Sequence, residues 1–137
     1  MAISPLAVKL KLKPGLHAAI VAAPANYLKD LSPLPASVSV ATDLKGTYDW
    51  VQLFVKSKAE LGRMAPRAIR ALNPQSILWI SFPKGSSQIQ TDLTRDKGWD
   101  VLKKADLKWI TLISVNETWS AFALRPYKPG EAKKSFR

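Results

Sequence analysis

The chain has no cysteine, so disulfides, thiolate zinc sites and cysteine nucleophiles are excluded together. Histidine is almost missing as well. His17 is the single one, without an acid or nucleophile beside it in sequence, and a structural or exposed role is the expectation for it rather than acid–base catalysis. Long hydrophobic runs are also lacking. The longest near the amino terminus, residues 18–24, is too short to cross a bilayer, and Lys9, Lys11 and Lys13 precede it with no convincing cleavage site after it. No membrane span or targeting segment is expected, and with the missing cysteines this fits a cytoplasmic location. Metal ligands are scarce too: Asp92, Asp96 and Asp100 share only helical or loop spacing, without a calcium-loop pattern, so no metal site is expected.

What is present points to a folded chain. Its 137 residues are about the size of one domain, and 47% hydrophobic content with five tryptophans argues for a globular core and against disorder. The net charge of +11 is unevenly placed: Lys9, Lys11 and Lys13 carry +3, the stretch from Arg125 to Arg137 carries +4, and the long middle only +4. Residues 1–15 read as a basic lead-in ending in the turn signal Lys13-Pro14-Gly15, and residues 126–137 as a flexible basic tail, leaving one domain over 1–125. Such arms suit weak nucleic-acid association, although no recognisable binding motif accompanies them.

Between the arms, apolar runs alternate with turns. Residues 17–23 form a first strand, closed by Pro24-Ala25-Asn26, and 27–31 a short helical turn that Pro33 and Pro35 end. Residues 37–41 alternate like a second strand, and 48–55 form a third in which Gln52 is the only polar interruption. Helical periodicity follows over 58–72, with Leu61, Met64, Ala65, Ala68, Ile69 and Leu72 on one face, Arg63, Arg67 and Arg70 on a solvated outer one, and a kink or a break into two short helices expected near Pro66. A buried fourth strand (77–82), a helix (99–105), a fifth strand (107–115) and a sixth (119–125) complete the chain. The short link at Asn116-Glu117-Thr118 makes the last two antiparallel, with the sixth expected at the sheet edge. The fold class is therefore α/β: a small Rossmann-like three-layer sandwich, its sheet mainly parallel with a C-terminal antiparallel hairpin.

In such sheets the working loops lie beyond the carboxyl ends of the strands. Lys56 and Ser57 leave the third strand there, Lys84, Ser86 and Ser87 leave the fourth, and Arg95 stands where it can lie above them. These six are the candidate site, suited to a phosphate, sulfate or carboxylate through charge-assisted hydrogen bonds. The competing reading pairs Lys84 and Arg95 with Asp92, Asp96 and Asp100 to order the loop. Core packing and sheet-edge cover account for Trp50, Trp79, Trp99, Trp109 and Trp119 better than a base-stacking platform does; Trp99 lies beside the working loop and Trp119 opens the hairpin.

From the third strand through Leu72-Asn73-Pro74-Gln75-Ser76 to the closing hairpin, the order of elements resembles the second half of class I S-adenosylmethionine methyltransferases. That resemblance implies a glycine-rich turn after the first strand and an acidic residue after the second. The chain has Ala22-Ala23-Pro24-Ala25-Asn26 at the first place and Asp43 at the second, and the missing glycines weigh against a working methyltransferase. Six stretches, Lys11-Leu12-Lys13-Pro14-Gly15, Ala23-Pro24, Tyr48-Asp49-Trp50 with Phe54-Val55-Lys56-Ser57, Leu78-Trp79-Ile80-Ser81-Phe82-Pro83-Lys84, Asp92 and Arg95-Asp96 with Gly98-Trp99, and Glu117-Thr118-Trp119-Ser120, resemble in order the bacterial Domain of Unknown Function 3052 family. That likeness implies a small single-domain bacterial protein and no particular activity. The expectation from sequence is thus a non-catalytic binding or interaction module, without a cofactor, recognising an anionic small molecule or acidic protein partner. A small transferase-like enzyme with an atypical cofactor pocket is the alternative.

Overall fold

A computed structural model describes residues 3–95 and 97–132. The sheet has six strands, β1 His17–Val21, β2 Ser39–Ala41, β3 Tyr48–Phe54, β4 Leu72–Pro83, β5 Leu107–Ser114 and β6 Trp119–Pro126, in the spatial order β2-β1-β3-β4-β6-β5. Pairing is parallel from β2 through β1 and β3 to β4. It is antiparallel on both sides of β6, so the antiparallel part is larger than a terminal hairpin.

The sixth strand is interior, contrary to the edge position expected for it. The cause is visible in composition: Ala121, Phe122, Ala123 and Leu124 are all buried, whereas the middle of β5 is only partly covered, so β6 takes the place shielded on both sides. β5 and the three-residue β2 form the edges. Trp119 accordingly is buried, its ring edge-on to Phe54 at 5.0 Å.

Helices cover both faces. On one, α3 Lys58–Arg70 lays Leu61, Ala65 and Ala68 against Val51, Leu53, Leu78 and Ile80, joined by Leu102 of the short α4 Asp100–Lys103. Ser57 caps α3 by accepting from the Glu60 N–H at 3.1 Å, and the Glu60 carboxylate accepts from the Lys56 N–H at 2.8 Å. The helix is continuous through Pro66, with buried Leu61 and Ala65 before the proline and Ala68 after it. The stretch 72–76 is part of β4.

On the other face lie α1 Pro5–Lys9 and α2 Tyr27–Leu31. The amino-terminal stretch is therefore core rather than lead-in: Ala7, Leu10 and Leu12 are buried against Trp50 and Trp79. Both indoles donate to the Leu10 carbonyl, at 2.8 and 2.9 Å, which fixes the segment on the sheet. At the other terminus, Glu131 accepts from Arg125 through both carboxylate oxygens and from Lys108 at 3.1 Å, returning residues 126–132 to β5 and β6. The tail residues Lys133, Lys134 and Arg137 lie outside the described residues. Among the described residues no helix is long and apolar enough to cross a membrane.

Candidate functional site

The chain passes from β1 outward to β2 and then returns to the other side of β1 as β3, so the direction of winding reverses between β1 and β3. In open α/β sheets that reversal opens a crevice at the carboxyl ends of the strands. A cavity of about 350 Å³ lies there, walled by Ile20, Ala23, Pro24, Tyr27, Leu28 and Thr42. Its rim is the turn after β1, in which Ala22 and Asn26 both take left-handed backbone, φ +61° and +67°. That conformation costs an L side chain about 1–2 kcal/mol and is ordinarily glycine's. The chain thus builds a glycine-type turn without glycine. The missing motif hid this, though Asn26 is a residue that tolerates the left-handed region and two small alanines flank the proline.

The floor of the cavity is held by a buried polar chain. The Tyr27 hydroxyl donates to the Gln52 carbonyl oxygen at 2.7 Å, and the Gln52 amide donates to the Ser81 hydroxyl at 2.9 Å. Gln52 is fully buried, which explains the one polar residue in an otherwise apolar β3. Burial pushes the Tyr27 phenol well above its ordinary value, so it stays protonated and remains a donor. At the end of β2, Thr42 faces the cavity and Asp43 follows it, accepting from the Lys45 N–H and the Tyr48 hydroxyl, both at 3.4 Å.

The residues expected to form the site stand at the neighbouring part of the same rim. Lys56 and Ser57 follow β3, and Lys84 follows β4, whose Ser81 pairs with Phe54. Ser57 is occupied as the cap of α3. The Lys84 ammonium turns the other way, donating to the Ser114 hydroxyl at 2.6 Å. Ser87 serves the turn itself, its hydroxyl accepting from the Ile89 N–H at 3.3 Å, while Ser86 and Arg95 are exposed. The loop that carries them is anchored by burial. Leu93 and Trp99 are inserted into the core, the Trp99 indole donates to the Thr94 carbonyl, and Asp92 accepts from the Lys58 N–H at 2.8 Å. Asp96 lies outside the described residues.

His17 sits at the opposite end of β1, exposed, with its ring 4.6 Å from Tyr48 and its backbone N–H donating to Asp49. Among the described residues no group of three or more acids or histidines is placed to hold a metal ion.

No protein-family model matches the chain, and no curated protein matches it. The likeness of its six stretches to the Domain of Unknown Function 3052 family is thus without a matching family model. Solved structures do share its fold. A complex of DhpI with SAH matches with a TM-score of 0.61 at 10% identity, over 89% of this chain and 83% of that one. A SAM dependent methyltransferase from Aquifex aeolicus matches at 0.58 and 12% identity, over 89% and 90%. The tRNA methyltransferase TrmK from B. subtilis matches at 0.53 and 10% identity, over 93% and 67%. The fold is therefore of the methyltransferase Rossmann-like type over nearly the whole chain, not only its second half. This corrects the expectation of a non-catalytic binding module: two of these neighbours are methyltransferases and the third is a complex with SAH, and the transferase alternative is the one they favour.

Proposed function

We propose that the chain is a small transferase-like enzyme that holds a nucleoside-bearing cofactor of the S-adenosylmethionine type at the carboxyl end of β1. The observation that carries this reading is the cavity at the winding reversal, edged by a turn in which Ala22 and Asn26 adopt glycine-like backbone. The residues suit the nucleoside portion. Ile20, Pro24 and Leu28 offer an apolar wall for a base, and Thr42 with Asp43 stands at the end of β2, where folds of this kind bind ribose hydroxyls. They suit the charged portion less well, because Pro24 has no N–H and the methyls of Ala22 and Ala23 stand where glycine would admit the ligand to the backbone.

When bound, the cofactor would supply the transferable group. The chain's own part is to orient it: the Tyr27–Gln52–Ser81 chain keeps the floor rigid, and apolar walls keep water from the nucleoside. Lys56, Ser57, Lys84, Ser86, Ser87 and Arg95 are proposed as the side from which an anionic acceptor substrate approaches.

Calorimetric titration with S-adenosylmethionine and S-adenosylhomocysteine tests this. Saturable binding is expected, weakened at least about tenfold in Ala23→Leu, which fills the cavity, and little changed in Lys84→Ala. Failure of both compounds to bind the wild-type protein refutes the cofactor assignment; loss in Lys84→Ala with Ala23→Leu unaffected would move the site to the outer rim.

A further inference from the structure

We propose that the other end of the sheet carries a second site, a basic groove that takes the backbone of a single-stranded nucleic acid. Two adjoining cavities of about 520 and 440 Å³ share Gln75, Arg125 and Lys128. Lys11 and Lys13 line the larger, and Tyr127 the smaller. The two basic arms, separate in sequence, therefore meet in one groove.

Several features make this more than a diffuse positive surface. Lys11 is pinned between buried Leu10 and Leu12 on left-handed backbone, φ +60°, and its N–H is bonded to the Val8 carbonyl. Arg125 is held by two bonds to Glu131, which also accepts from the Lys128 N–H at 2.8 Å. The one acid in the lining, Asp49, is engaged by the His17 N–H and the Asn73 amide, each at 2.9 Å. Lys11, Lys13 and Lys128 are exposed and, among the described residues, their ammonium groups have no ion-pair partner.

The lining decides what kind of anion fits. Cations spread along an open groove match repeated phosphates rather than one small ion, which would need buried donors converging on a point. Between them the floor is apolar and half-exposed: Leu16, Ile77 and Ile110. Unstacked bases can rest on such a floor, with Tyr127 at its end as an aromatic surface, whereas a duplex keeps its bases inside. A strand of nucleic acid supplies both the charge and the flat apolar groups.

Fluorescence anisotropy with a labelled mixed-sequence oligoribonucleotide, read across a salt series, tests the groove independently of the cofactor cavity. The logarithm of the binding constant should fall linearly with the logarithm of salt. The Lys11→Ala/Lys13→Ala/Lys128→Ala protein should lose about 2 from that slope, at about 0.7 per phosphate contact on a single strand. Arg63→Ala/Arg67→Ala/Arg70→Ala, an equal loss of charge on the exposed face of α3, should leave the slope unchanged. Circular dichroism of both variants confirms that they fold, since all six side chains are exposed. Equal losses in the two variants, no binding by the wild type, equal binding of a duplex, or displacement of the oligonucleotide by polyglutamate at matched charge would each overturn the proposal.

Discussion

Replacing Tyr27 with phenylalanine removes one oxygen and leaves the rest of the cavity floor in place. The Gln52 side chain is fully buried, and its carbonyl oxygen takes the Tyr27 hydroxyl at 2.7 Å. Without that donor the oxygen keeps its desolvation penalty and loses its partner, which costs about 1–3 kcal/mol. For a domain of this size that is a fall in Tm on the order of 4 °C per kcal/mol. Gln52→Leu is expected to cost a similar amount, because it orphans the Tyr27 hydroxyl and removes the donor to Ser81. The double variant has no mismatched pair left between positions 27 and 52, so its loss should be smaller than the two single losses together by at least about 1 kcal/mol. Urea unfolding followed by tryptophan fluorescence gives all the values needed. Additivity within about 0.4 kcal/mol would refute the reasoning, since groups that far uncoupled do not form one network.

Other residues allow equally direct tests. Ala22→Gly removes a left-handed strain of about 1–2 kcal/mol against an entropic loss of about 0.4–1, so urea unfolding should show a gain of about 0.5 kcal/mol; a loss would mean that the turn does not have this backbone. Gly98→Ala should be costly, by about 2–3 kcal/mol: φ is +103°, and a Cβ there would come within 2.5 Å of Leu93 Cδ2, so differential scanning calorimetry showing an unchanged Tm would contradict the packing of the loop. The Arg125 guanidinium, with the Lys128 N–H and the Lys108 ammonium, holds the Glu131 carboxyl far below its usual value. A folded-state value lowered in this way stabilises the return of the tail at all pH above the ordinary glutamate range, about 4.3, and that contribution is lost as pH falls from there toward the folded value. Carbon-13 NMR of the Glu131 carboxyl should therefore show a midpoint well below the ordinary one, and a midpoint at the ordinary value would remove Glu131 as the anchor.

Local pattern made much of the architecture legible. The apolar run at 77–82 lies within the central strand β4, the proline-bounded turn at 27–31 is α2, and Leu61, Ala65 and Ala68 do face the sheet. What pattern could not convey is competition between distant segments. β5 and β6 both read as strands, and only their relative burial against β4 decides which is interior. Residues 3–13 read as a basic lead-in because of Lys9, Lys11 and Lys13, yet Ala7, Leu10 and Leu12 among them help fill one face of the sheet. The cavity was missed for a different reason. A glycine motif is a sequence proxy for left-handed backbone, and Ala22 and Asn26 reach that backbone without it.

The same amino-terminal segment ties the two ends of the sheet together. An isolated lysine pair on a free arm loses conformational entropy whenever it binds a polyanion, on the order of 1–2 kcal/mol for each ordered residue. Here Lys11 and Lys13 are ordered before any ligand arrives, because the Leu10 carbonyl is held by the Trp50 and Trp79 indoles and Leu12 is buried beside them. Trp50 and Trp79 belong to β3 and β4, the strands whose opposite ends open toward Lys56 and Lys84. The folding of the core and the placement of the cations are thus one event, and a segment that composition marks as a loose basic arm acts as a fixed wall of the groove.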